Sequence, residues 1–95
     1  APHAPSNLVA IATPGRVDLT WDASPAADLA GYLVYRSEQA GTGYQRLTPA
    51  AISVQSFSDA SGAASRTYYY VVTAVDREGN QSPFSSPAAA GTPRP

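Results

Sequence analysis

The chain contains no cysteine and no lysine, and it has a single tryptophan and a single histidine. Without cysteine there is no disulfide and no redox cue, so packing and hydrogen bonds must hold the fold. The lone histidine, His3, lies in a proline-bearing stretch ahead of any apolar pattern. A serine–histidine–aspartate arrangement would have to recruit it from there, so it is read as a solvated connector residue. An excess of one charge is also missing: six basic residues, all arginine, stand against seven acidic ones, for a formal net charge of −1. They are scattered, forming neither a basic patch nor an acidic tail, and this argues against nucleic acid as a partner. No apolar run approaches the ~20 residues of a membrane helix, so no membrane insertion is expected. Residues 1–6 lack the charged start and apolar stretch of a signal peptide. No glycine-rich phosphate loop follows a strand. Two carboxylates in one hairpin, Asp76 and Glu78, cannot fill a calcium shell of about six to eight oxygens. The expectation is therefore no cofactor, no metal, no catalytic residue and no enzyme.

What is present is strand pattern. Ninety-five residues form one domain, and 43% of them are hydrophobic; a chain of this size buries roughly 60–68% of its unfolded surface. Nine prolines and seven glycines are spaced along it, as suits short strands joined by turns. The clearest strand covers residues 68–75, where Tyr68, Tyr70, Val72 and Ala74 alternate with Tyr69, Val71, Thr73 and Val75. Two apolar faces followed by a turn at Gly79-Asn80 describe a central strand. Further strands are predicted at 7–12, at 16–21 with Val17, Leu19 and Trp21 inward, at 31–36, at 44–47, and at 52–58 with Phe57, or Ile52 and Val54, inward. A last strand is predicted at 81–90, confined to a sheet edge because Pro83 and Pro87 lack amide donors. Pro14-Gly15 reads as a turn, and 25–30 could form one helical turn. Seven short strands at intervals of about 8–12 residues predict an all-β, seven-stranded antiparallel sandwich.

Several motifs together resemble the fibronectin type III family over nearly the whole chain. They are Pro5-Ser6-Asn7-Leu8, Val17-x-Leu19-x-Trp21, Gly31-Tyr32-x-Val34-Tyr35-Arg36, Tyr68-x-Tyr70-x-Val72-x-Ala74 and Gly79-Asn80-x-Ser82-x-x-Ser85. Trp21 on the second strand and the absence of cysteine set the chain apart from immunoglobulin domains. The resemblance implies sheets A-B-E and C-C′-F-G in an immunoglobulin-like sandwich, with Trp21 and Tyr68 as structural residues. It also implies that the Tyr68 hydroxyl bonds backbone in the loop before it; Gly62-Ala63-Ala64 stands where many members have leucine, so that corner should be looser. The wording is similar to bacterial members lying between modules of secreted polysaccharide-degrading enzymes, and the all-arginine cation set agrees with a bacterial source. The resemblance thus implies residues 6–92 as the domain, 1–5 and 93–95 as linkers, neighbouring domains of the same polypeptide as partners, a monomer, and an extracellular or cell-surface location.

Asp22, Asp28, Asp59, Asp76 and Glu78 fall at strand ends or in turns, where Asp accepts nearby amides. Asp76 and Glu78 could also pair weakly with Arg77 or Arg36. The stretch Asp76-Arg77-Glu78-Gly79-Asn80 lies where adhesive members carry Arg-Gly-Asp; with Arg-Glu-Gly instead, adhesion of that type is not supported. Asn80, Gln81 and Ser82 match a glycosylation sequon, but Pro83 follows. One candidate interaction face remains, formed by Leu33 and Tyr35 beside Tyr69 and Val71 on the outer side of the sheet. Ordinary cross-strand pairing, a neighbouring module and a polysaccharide are the three readings of it. The expected role is a non-catalytic spacer module, the alternative a carbohydrate- or protein-binding module using that face.

Overall fold

The structure is a computed structural model that describes residues 4–13, 16–24, 29–39, 41–48, 51–59 and 67–91, and among these every regular element is a strand. The strands are β1 (Ser6–Thr13), β2 (Arg16–Asp22), β3 (Leu29–Ser37), β4 (Gln45–Arg46), β5 (Ser56–Asp59), β6 (Thr67–Asp76) and β7 (Ala88–Gly91). They form two antiparallel sheets, β1-β2-β5 and β4-β3-β6-β7. This is the expected seven-stranded sandwich with the sheet memberships the resemblance implied. The turn at Pro14-Gly15, residues 25–28 of the helical turn expected at 25–30, and the loop residues 60–66 lie outside the described residues; Leu29 and Ala30, the last two of that expected turn, belong instead to β3.

Period-two alternation builds the core. Val17, Leu19 and Trp21 of β2 meet Tyr32 and Val34 of β3 and Tyr68, Tyr70, Val72 and Ala74 of β6, all buried. Trp21 packs edge-on to Tyr32, with ring centroids 5.5 Å apart. At the end of β5 the alternation carries Phe57 toward this cluster, but Val54 is 54% exposed rather than inward. The predicted strand at 52–58 is in fact split. Ile52 exchanges backbone hydrogen bonds with Tyr32 in the second sheet, at 2.8 and 2.9 Å. After the bends at 53–55 the chain joins β2 in the first sheet. A segment that changes sheets cannot keep one strand register, so the run that reads as continuous in sequence is two separate pairings.

Gly31 permits this crossing. A Cβ built there would lie 2.7 Å from the Ile52 carbonyl oxygen and 3.0 Å from the Ala51 Cβ. The first clash is with backbone that is itself hydrogen-bonded, so it cannot yield cheaply. Gly31→Ala is expected to lower stability by about 1–3 kcal/mol through overpacking. Urea unfolding would show this, and a variant as stable as the wild type would refute the close approach.

The last strand is shorter than predicted, and the serines explain why. From Val75 back to Tyr70 is five residues, while their partners Gln81 and Ala88 are seven apart. The two additional residues accommodate Pro83 and Pro87. Ser82 and Ser85 keep the ladder closed across them: their amides donate to the carbonyls of Ala74 (2.8 Å) and Val72 (3.0 Å). Their hydroxyls accept the Ala74 and Val72 amides at 2.8 and 2.9 Å. Side-chain oxygens thus stand in for bulged backbone carbonyls, which satisfies buried donors. β7 is an edge strand, as the prolines required.

At β1 a register shift between Ser6 and Val9 accompanies Asn7 at φ 56°. Asparagine tolerates that left-handed region better than most residues, and its Nδ2 donates to Asp22 Oδ2 at 2.6 Å. Ser6 therefore lies beside Asp22. The Ser24 amide donates to the Tyr32 hydroxyl at 3.0 Å, which puts the end of β2 with the start of β3 and the Asp76 end of β6. Gly91 pairs with Thr67 at the opposite end of β6. The chain enters at one end of the sandwich and leaves at the other, along a body of 42 × 23 × 23 Å.

Candidate interaction face

Of the four residues singled out on the outer face, only Tyr35 and Val71 are opposite each other; Leu33 is opposite Thr73 and Tyr69 opposite Ser37, at the two sides of that pair on the same face. Their availability differs. Leu33 is 5% and Val71 2% exposed, whereas Tyr35 and Tyr69 are half-buried. The apolar pair is thus closed to a partner, and what reaches solvent is aromatic. Two further rings, absent from the sequence reading, extend the face. Phe84, 50% exposed, sits 5.2 Å from Tyr35 and 5.4 Å from Tyr44. The Tyr35 hydroxyl and Thr73 Oγ1 donate to the same oxygen, Gln81 Oε1, at 2.8 and 3.1 Å. Phe84 was missed because the fold brings it in by the bulged return of 81–87, which has no strand period. Its place between two prolines was the one available sign.

A second constellation lies between the sheets. Asp59, at the end of β5, has a side chain only 3% exposed, and its Oδ2 accepts both Arg36 Nη1 and the Tyr70 hydroxyl at 2.8 Å. The Arg36 guanidinium stands 4.7 Å above the Tyr68 ring, a cation–π arrangement. This corrects the pairing expected in the sequence, where Arg36 was set against Asp76 or Glu78, and it shows that Asp59 is more than a turn cap. The signal was legible: Tyr32, Val34 and Arg36 share one parity, so Arg36 faces the core and needs a carboxylate.

Burial, and then the hydrogen bond to Asp59, push the Tyr70 hydroxyl far above the ordinary tyrosine range. Burial works against the Arg36 charge, but the hydrogen bond and charge of Asp59 outweigh it and raise its pKa. A raised phenol contributes stability that is whole below the unfolded tyrosine pKa of about 10 and is lost above it. The wild-type urea midpoint is therefore expected to fall more steeply above pH 10 than that of Tyr70→Phe; equal slopes would rule out this linkage.

Among the described residues no three His, Asp or Glu side chains are grouped so as to hold a metal ion. No family model matches the chain. Among solved structures, an Fn3-like protein from Clostridium thermocellum superposes with a TM-score of 0.87 at 31% identity, covering 100% of this chain and 97% of that one. The chain is a fibronectin type III domain. It is also similar, at 38% identity over 90 residues, to an amylopullulanase of Thermoanaerobacterium thermosulfurigenes, and it superposes on a β-1,2-glucanase of Parabacteroides distasonis with a TM-score of 0.84 at 32% identity. These matches cover 95% and 100% of this chain but only 5% of the amylopullulanase and 13% of the glucanase chain. A fibronectin type III segment filling about a twentieth of such a protein is a non-catalytic accessory domain.

In this fibronectin type III domain the turn after β6 is built around Asp76. Its Oδ1 accepts the amides of Asn80 and Glu78 at 2.8 and 2.9 Å, and its Oδ2 accepts Asn80 Nδ2 at 3.1 Å. The amide of Asn80 comes first among the causes that hold this carboxyl below its usual range. The associated stabilisation is present above the ordinary carboxylate range and is lost as pH falls through it. Gly79 supplies the positive φ of 87° that the turn needs. Tyr68 is buried as the family implies; its expected hydroxyl partner in the 60–66 loop lies outside the described residues.

Proposed function

We propose that this domain is a rigid spacer within a longer, extracellular bacterial polysaccharide-degrading enzyme, holding flanking domains apart as a monomeric unit. The observation that carries the reading is the placement of Ser6 and Gly91 at opposite ends of a body 42 Å long. A sandwich closed by two sheets transmits that separation without bending, and the proline-bearing stretches 1–5 and 93–95 serve as semi-stiff connectors. The names of the amylopullulanase and the glucanase support the choice of parent, and the small share of each that this chain spans supports an accessory part.

The test replaces residues 6–92 in the parent enzyme with a flexible Gly/Ser linker of equal length. Small-angle scattering should then show a broader distribution of distances between the flanking domains, with activity on short soluble substrates unchanged. An unaltered distance distribution would sink the spacer reading. Sedimentation of the isolated chain should give the mass of one copy.

A further inference from the structure

We propose a second role for this domain: Phe84, Tyr44 and Tyr35 form a platform on its flank that binds a neutral glucan chain, with Gln81 supplying a hydrogen-bond donor. Four observations lead there. The first is a half-exposed phenylalanine on fixed backbone. Ser82 and Ser85, on either side of Phe84, are each tied to β6 through both amide and hydroxyl. The ring is therefore held outward by its frame, and an exposed apolar ring on a rigid support is pre-organised for a contact.

The second is the surroundings of that ring. Tyr35 and Tyr44 lie at interplanar angles of 59° and 61° to Phe84, presenting one open ring flanked by two others whose hydroxyls are fixed. The Tyr35 hydroxyl is held by Gln81, and that of Tyr44 accepts the Gly41 amide at 3.3 Å. Gln81 Oε1 is occupied by two hydroxyl donors, which leaves the amide nitrogen of this exposed side chain for a ligand. Apolar ring faces beside amide and hydroxyl donors match the C–H faces and hydroxyls of a sugar.

The third is charge. Across the strands Tyr35 is opposite Val71 and Arg46, and Tyr69 is opposite Ser37 and Ala89. No carboxylate occupies these register positions, and one arginine does not make a polyanion site, so the ligand is neutral. The fourth is location. Val71 falls midway along β6, far from the ends where Ser6 and Gly91 attach neighbouring sequence. A covalently adjacent module would meet an end of the sandwich, while a flank platform is open to a separate chain.

The choice of glucan rests on the reading of the parent as a polysaccharide-degrading enzyme, and the test separates the two. The 95-residue chain is run in native gels containing pullulan, amylopectin, β-1,2-glucan or mannan, beside Phe84→Ala, Tyr44→Ala and, as a surface control, Ile11→Ala, whose side chain is exposed on the other sheet. Wild type and Ile11→Ala should be retarded by at least one glucan, with either ring variant binding about tenfold more weakly while its melting temperature stays within a few degrees of wild type. Equal retardation of the ring variants overturns the platform. Unchanged migration in every gel overturns it too, yet leaves the spacer role standing, since spacing needs no ligand. Retardation by mannan alone overturns the glucan assignment while leaving the reading of the parent as a polysaccharide-degrading enzyme in place.

Discussion

Asp59→Ala is expected to lower the unfolding free energy by about 3 kcal/mol, toward the lower end of the 3–5 kcal/mol typical for breaking a buried ion pair. The position in the range follows from the partners. Arg36 keeps 23% of its side chain in contact with solvent and rests on the Tyr68 ring, so its stranded charge is partly screened. Tyr70 has no such relief: it is fully buried, and its hydroxyl loses its acceptor. An unsatisfied buried hydroxyl costs about 1–3 kcal/mol by itself. Asp59→Asn retains one acceptor without the charge and should lose about 2 kcal/mol. The apolar triple variant Arg36→Met, Asp59→Leu, Tyr70→Phe should be more stable than Asp59→Ala alone, because it removes the Arg36 charge and the Tyr70 hydroxyl instead of stranding them. Urea unfolding at pH 7 decides the matter; an Asp59→Ala midpoint close to wild type would mean that the three groups are not coupled. Against a total stability of about 5–15 kcal/mol, a loss of 3 is a large share.

Trp21→Ala is expected to cost about 3–5 kcal/mol, the usual range for removing a large aromatic side chain from a core. Trp21 is nearly fully buried and makes the edge-on contact with Tyr32. The more telling variant is Trp21→Phe. The indole Nε1 is buried with no hydrogen-bond partner among the described residues. Removing it relieves a desolvation penalty of about 1–3 kcal/mol, which offsets part of the lost volume. Trp21→Phe should therefore cost about 1 kcal/mol or less, several-fold below Trp21→Ala. Because this tryptophan is the only one in the chain, the comparison needs circular dichroism rather than tryptophan fluorescence. Equal losses for the two substitutions would show that the indole nitrogen is satisfied in solution.

Strand positions and inward residues were legible because alternation is a local property. Val17, Leu19 and Trp21, and likewise Tyr68 through Ala74, declare their face by parity alone. Parity also announced Arg36 as inward, but nothing local names its partner: Asp59 is 23 residues away and in the other sheet. The strand at 52–58 and the long final strand were misjudged for a related reason. Ile52 pairs with one sheet and Phe57 with the other, while the serines at 82 and 85 maintain hydrogen bonding without strand geometry.

Composition and period by themselves determined the class of this protein: an antiparallel sandwich without disulfide, with Trp21 and the inner face of β6 at its centre. That follows because side-chain direction along an extended chain repeats every two residues, whatever the rest of the chain does. Tertiary structure decided what the outer surface offers. Leu33 and Val71 alternate as faithfully as Tyr35 and Tyr69, yet the first two are buried and the second two reach solvent. Phe84 joins Tyr35 and Tyr44 only because a proline-bulged segment returns along β6. Exposure depends on which distant segments cover a residue, and that quantity has no period for a sequence to display.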